Sequence, residues 1–119
     1  MPNSFRALEA SRAVVDEIND LLDDPDLSLI YRSQLRESAQ SIPANIREAI
    51  GRDVGRDRNQ FFRVARGSAE ETDEHLRANY AAGRLAEKTY WRLHNRLMVL
   101  VKMLDALMRA PRASRERAK

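Results

Sequence analysis

Cysteine is absent, which removes disulfides, thiolate zinc sites and cysteine nucleophiles together. Glycine and proline number four each, and aromatic residues make up 6% of the chain. A sheet protein needs a turn about every ten residues and builds its strands from aromatic and β-branched types, so this poverty argues against one. Long apolar runs are missing too. The longest, Leu97-Met98-Val99-Leu100-Val101, falls far short of the roughly 20 residues that cross a bilayer. Arg6, Glu9 and Arg12 interrupt the stretch that a signal peptide keeps apolar. The expectation is a soluble, cytoplasmic protein with no membrane partner.

What remains is 119 residues, 43% apolar and 33% charged, which is one domain's worth of chain with enough apolar content for a core. Lysine is scarce: 18 of the 21 basic residues are arginine. The charge is also segregated. Residues 1–31 carry two basic and seven acidic side chains, residues 32–66 eight and four, residues 67–88 three and five, and residues 89–119 eight and two. Arginine presents a fixed fork of donors suited to phosphate and carboxylate, so an arginine-heavy set suits an anionic partner. Neutralisation of acidic by basic helices inside a bundle or between subunits is the alternative.

Four helices are predicted from the spacing of apolar residues. The first runs from near Ser4 to Leu22 on a stripe of Phe5, Leu8, Ser11, Val15, Ile18 and Leu22, which Val14 and Leu21 widen. Asp23-Asp24-Pro25-Asp26 stops it, with Asp24 placed to cap the next helix. The second carries Tyr31, Leu35, Ala39, Ile42, Ile46 and Ile50 in phase through Pro43, predicting one bent helix. A helix-turn-helix, with residues 44–52 as a DNA recognition helix, is the weaker reading of the same segment. The third opens near Asp57, with Gln60 as a weak capping-box partner, and runs along Phe61, Ala65, Ser68, Thr72, Leu76 and Asn79 to Gly83. The fourth has the clearest seam: Tyr90, Leu93, Leu97, Leu100, Leu104 and Leu107, with Trp91, Met98, Val101 and Met108 broadening it. Residues 1–110 thus form an all-α, antiparallel up-and-down four-helix bundle, and residues 111–119 a disordered basic tail.

Enzyme chemistry finds little to stand on. A carboxylate-bridged metal bundle needs Glu-x-x-His pairs, but Thr72 precedes His75 and Trp91 precedes His94 at that spacing. Glu70, Glu71, Asp73 and Glu74 point around their helix and read as a solvated or partner-facing acidic surface. No Gly-x-Ser-x-Gly elbow occurs, and the segment from Gly51 to Gly55 lacks a P-loop's Gly-Lys-Ser/Thr ending. No catalytic residue, metal or cofactor is expected. Gly67 in mid-helix costs about 1 kcal/mol against alanine. The run Ala65-Arg66-Gly67-Ser68-Ala69 therefore reads as a place of close helix approach, within the bundle or between subunits.

Gln34-Leu35-Arg36, Ser41-Ile42-Pro43-Ala44-Asn45-Ile46 with Glu48, Gly51 and Arg52, then Phe61-Phe62 and Ala65-Arg66-Gly67-Ser68-Ala69-Glu70-Glu71, resemble the four-helix-bundle proteins encoded in 23S rRNA intervening sequences. That family includes the accessory variability determinant of diversity-generating retroelements. The resemblance covers about residues 5–108. It implies a bundle that assembles as a homopentameric barrel and, in the retroelement branch, a basic protein that binds nucleic acid beside a reverse transcriptase. Where the family reads Asn-Ile-Ala-Glu-Gly, this chain has Arg47 after Ile46 and Ala49 after Glu48.

Together, the arginine content and the resemblance predict a non-enzymatic homo-oligomer binding structured RNA or an RNA–protein complex through phosphate contacts. Its candidate contacts are Arg47, Arg52, Arg56, Arg58, Arg63 and Arg66, with Arg109, Arg112, Arg115 and Arg117 as a mobile second patch. Ser41, Pro43, Asn45, Gly67, Ser68 and Trp91 are the candidates for helix or subunit packing. A protein-docking scaffold, for instance for a reverse transcriptase, is the rival.

Overall fold

Asn3 opens the first helix: its Oδ1 accepts from the backbone N–H groups of Phe5 at 2.9 Å and Arg6 at 3.2 Å, satisfying donors that a helix start leaves orphaned. The computed structural model describes residues 3–109, and these form α1 (Ser4–Asp23), α2 (Arg32–Ile50), α3 (Arg56–Ala81) and α4 (Glu87–Arg109). α1 packs on α2 and α4, and α3 packs on the same two, while the backbones of the diagonal pairs stay apart. This is the expected up-and-down ring of four.

The predicted stripes form the core with three shifts. Tyr31, at the head of the predicted α2 stripe, is 52% exposed and stands just before the helix. Phe5 is 64% exposed rather than inward. On α3 the buried ring is Phe62 and not Phe61, which is half-buried. α4 supplies the largest single share of the bulk, with Tyr90, Leu93, Leu97, Leu100, Leu104 and Leu107 buried, and α3 adds the small residues Ala65, Ser68, Ala69 and Thr72.

The helix ends differ from expectation where local chemistry decides them. Asp24 does not cap the next helix; it closes α1, its N–H donating to the Leu21 carbonyl, and its Oδ1 accepts from the Asp26 N–H at 2.8 Å, making a turn. α2 runs unbroken through Pro43, so no separate recognition helix forms. α3 starts at Gly55, whose φ of 148° suits glycine, and the Asp57 carboxylate goes to Arg52 rather than into a capping box. Gly83 ends α3 as expected, at φ 72°. Its N–H donates to the Tyr80 carbonyl and that of Arg84 to Asn79, a Schellman closure.

The connection from α1 to α2 is fastened rather than loose. The Asn79 side chain accepts from the Ile30 N–H at 2.7 Å and donates to the Ile30 carbonyl at 3.0 Å. Arg84 donates to the Ser28 carbonyl at 2.8 Å, and Arg32 donates to that of Leu22.

Candidate nucleic-acid interface

Antiparallel packing brings the start of α1, the end of α2, the start of α3 and the end of α4 to one end of the bundle. Two long-range bonds record this: Arg58 Nη2 donates to Ser4 Oγ at 2.7 Å, and Asn59 Nδ2 to the Met108 carbonyl at 3.2 Å. Residues 3–12, 44–66 and 99–109, which make up this end, hold ten basic and five acidic side chains. The other half, residues 13–43 and 67–98, holds seven basic and twelve acidic.

The two ends also use their arginines differently. At the acidic end every arginine is engaged. Arg36 meets Asp23 at 3.3 Å, Arg77 meets Asp73 at 3.8 Å, Arg92 and Arg96 share Glu17, Arg32 holds the Leu22 carbonyl in the last turn of α1 and Arg84 the Ser28 carbonyl in the loop after it. At the arginine end, Arg6, Arg12, Arg47, Arg56 and Arg109 are exposed, and their side chains have no hydrogen-bond or ion-pair partner among the described residues. Arg63 is exposed and donates only to Gln60, at 3.1 Å.

Three of the predicted contacts need correction. Arg58 is buried, 3% exposed, with its guanidinium 4.9 Å from the Phe62 ring centroid; it holds the core together and cannot reach a phosphate. Arg52 is neutralised by Asp57 at 2.8 Å and Glu48 at 3.6 Å while lying 4.7 Å over Phe61. Arg66 binds Asp105 at 2.7 Å and Glu70 at 3.3 Å, tying α3 to α4. Arg112, Arg115 and Arg117, like the basic tail itself, lie outside the described residues. Arg6 and Arg12 belong to the arginine end by topology alone, which distance along the chain conceals.

The packing candidates divide. Ser68 donates to Ser41 Oγ at 2.8 Å and Thr72 to Ser38 Oγ at 2.9 Å, while Asn45 Nδ2 donates to the Ser41 carbonyl and hydroxyl at 2.8 and 3.0 Å. Such short side chains meet only when α2 and α3 approach closely, so the serine motif fixes that contact. Pro43 is half-buried inside α2. Gly67 is the correction: it is exposed, and an added Cβ would meet nothing within 4 Å. The close approach within the bundle uses Ala65, Ser68 and Ala69 instead. Trp91 is 43% exposed and packs edge-on against Tyr90 and His94, with ring centroids 5.0 and 5.2 Å apart.

A polar network near the acidic end is not apparent from the sequence pattern. Asp73, expected on a solvated surface, is 6% exposed. Its Oδ1 lies 2.8 Å from His94 Nδ1 and accepts from Tyr90 OH at 3.2 Å. Burial, and then the Asp73 charge, push the Tyr90 hydroxyl up to about 12, so it stays a proton donor. One signal does exist: Asp73 lies four residues after Ala69 and three before Leu76, on the inward stripe. Among the described residues, no three His, Asp or Glu side chains converge as metal ligands, and no helix is long and apolar enough to cross a membrane.

Fold and site together define an all-α four-helix bundle with arginines left open at one end. The chain belongs to the 23S rRNA-intervening sequence protein family, whose pattern matches residues 4–106. Among solved structures it is similar to a protein of unknown function from the S23 ribosomal protein family of Bacteroides thetaiotaomicron. The two share 22% identity and a TM-score of 0.74 over 90% of this chain and 98% of that one, a likeness of fold. No curated protein matches the sequence.

Proposed function

We propose that this protein acts without catalysis, as a homopentamer whose arginine end binds structured RNA or an RNA–protein complex. One observation carries the reading: arginines are engaged at the acidic end, whereas Arg6, Arg12, Arg47, Arg56 and Arg109 stand open at the other. Open guanidinium groups on helix ends can pair with phosphates without breaking an internal contact. A closed ring repeats that end around one rim and multiplies its field. Membership in a family named for sequences within 23S rRNA agrees with an RNA partner. Affinity from phosphate contacts falls by orders of magnitude between about 50 and 200 mM salt for six to ten contacts. Retention of unrelated structured RNAs with that salt dependence, by a particle of five subunits in light scattering, is the expected result. No retention at low salt overturns RNA binding, and a monomer overturns the ring.

Exposed Trp91 and Val99, 43% and 57% accessible on α4, support a second reading, a docking surface for a protein such as a reverse transcriptase. Binding to such a partner would survive high salt and be lost on Trp91→Ala.

A further inference from the structure

The three phenylalanines of the chain, Phe5, Phe61 and Phe62, all lie at the arginine end, and their environments differ sharply. Phe62 is buried under Arg58 and Phe61 is half-buried under Arg52. Phe5 is 64% exposed, the most open of the large hydrophobic side chains among the described residues. It does not sit on a fraying end, because the Asn3 cap binds its own N–H at 2.9 Å.

Helical register shows what stands beside it. Asn19 of α1 touches Arg36 of α2, with Arg36 Nη1 3.4 Å from Asn19 Oδ1. Steps of seven residues keep to one side of a helix, so Arg12 and Phe5 line up with Asn19 along the α2 side of α1. The same steps carry Arg36 through Pro43 to Ile50 along the α1 side of α2, with Arg47 one turn before Ile50. Because the helices are antiparallel, moving 14 residues from the Asn19–Arg36 contact brings Phe5 level with Ile50. An exposed phenyl ring thus lies on the flank that also carries Arg12 and Arg47, both exposed and with no side-chain partner among the described residues.

We infer that Phe5 is a stacking surface for an unpaired nucleobase, with Arg12 and Arg47 taking the flanking phosphates. The preferred ligand is then RNA with single-stranded loops or bulges rather than uninterrupted duplex. The inference rests on the RNA-binding reading above. An A-form duplex keeps its bases stacked on one another and offers a protruding ring only edges and backbone, whereas unpaired bases splay onto aromatic side chains. Each base stacked on an aromatic ring contributes roughly 5- to 150-fold in affinity by alanine substitution, regardless of sequence.

The test is fluorescence anisotropy with the full chain, using a labelled mixed-sequence single-stranded RNA and a blunt duplex of the same length. Wild type should favour the single strand. Phe5→Ala should lower that affinity by roughly 5- to 150-fold, leave duplex binding, particle mass and salt slope unchanged, and be rescued by Phe5→Tyr. Equal loss on both RNAs, no loss on either, or a changed particle mass in Phe5→Ala overturns the stacking role. If wild type binds both RNAs alike with a steep salt slope, stacking fails and the phosphate-binding reading stands. If wild type binds neither, both fail.

Discussion

The two ends of this bundle hold ten and seven cations and use them in opposite ways. At the acidic end guanidinium groups are consumed: Glu17 takes Arg92 and Arg96, Asp23 takes Arg36, and backbone carbonyls take Arg32 and Arg84. At the other end the interior takes Arg58, carboxylates take Arg52 and Arg66, and the rest face water. Exposed ion pairs contribute only about 0–1 kcal/mol each, so the pairing at the acidic end adds little to stability. Its larger effect is to cancel charge there. The contrast teaches that net charge does not tell which cations internal pairing leaves open; only the partners of each guanidinium do.

Matched neutralisation tests the contrast most strongly. Arg47, Arg56 and Arg63 changed together to Gln should weaken RNA binding roughly tenfold or more at low salt and lower the salt slope by about 3, since each phosphate contact contributes about one counterion. Arg84, Arg92 and Arg96 changed to Gln should leave RNA binding nearly intact. Equal losses from the two triples, measured by filter retention across a salt series, would erase the distinction between the ends.

The next effect lies in stability. Asp73→Ala should cost about 2–4 kcal/mol in urea unfolding, because it removes the acceptor that His94 and Tyr90 share inside the α3–α4 contact. The same change should leave RNA affinity alone, since the network lies away from the arginine end. A smaller pH effect comes from Tyr90, whose hydroxyl is raised to about 12. The neutral form is favoured in the folded chain, so that stabilisation is complete below pH 10 and is lost as pH climbs toward 12. It amounts to about 2–3 kcal/mol across the window. Comparing urea midpoints of wild type and Tyr90→Phe at pH 8 and pH 11 reads about half of it, and an equal decline in both would assign the loss to other groups.

Gly67 gives the smallest effect and the sharpest question about assembly. With open space around its Cβ position, Gly67→Ala should stabilise the isolated bundle by up to about 1 kcal/mol. Loss of the oligomer with helicity retained would instead place a second subunit against α3.

The fold was legible because periodicity is local. Tyr90, Leu93, Leu97, Leu100 and Leu104 show their common face without reference to any other helix, and each is fully or almost fully buried. Legibility failed where two readings shared one period or where the deciding partner is remote. Phe61 and Phe62 both fit α3's stripe, and only the position of the other helices selects Phe62. Arg58 looked like its neighbours Arg56 and Arg63, but Ser4, 54 residues earlier, and the Phe62 ring draw it inward. The candidate site suffered most. Its cations are visible in the sequence, but which of them remain available depends on carboxylates such as Asp105, 39 residues from Arg66.

The clamp on Ile30 bears on how this chain coexists with copies of itself. A chain can trade an arm with a neighbouring copy by opening at a hinge loop between helices. Here the segment between α1 and α2 cannot straighten without releasing both Asn79 bonds to Ile30, the Arg84 bond to Ser28 and the Arg32 bond to Leu22. The fastening therefore acts as a latch against exchange of α1 between copies of the chain. Three of the four bonds come from Asn79 and Arg84, on α3 and just after it, so most of the latch is in place only when α3 is packed against its own chain.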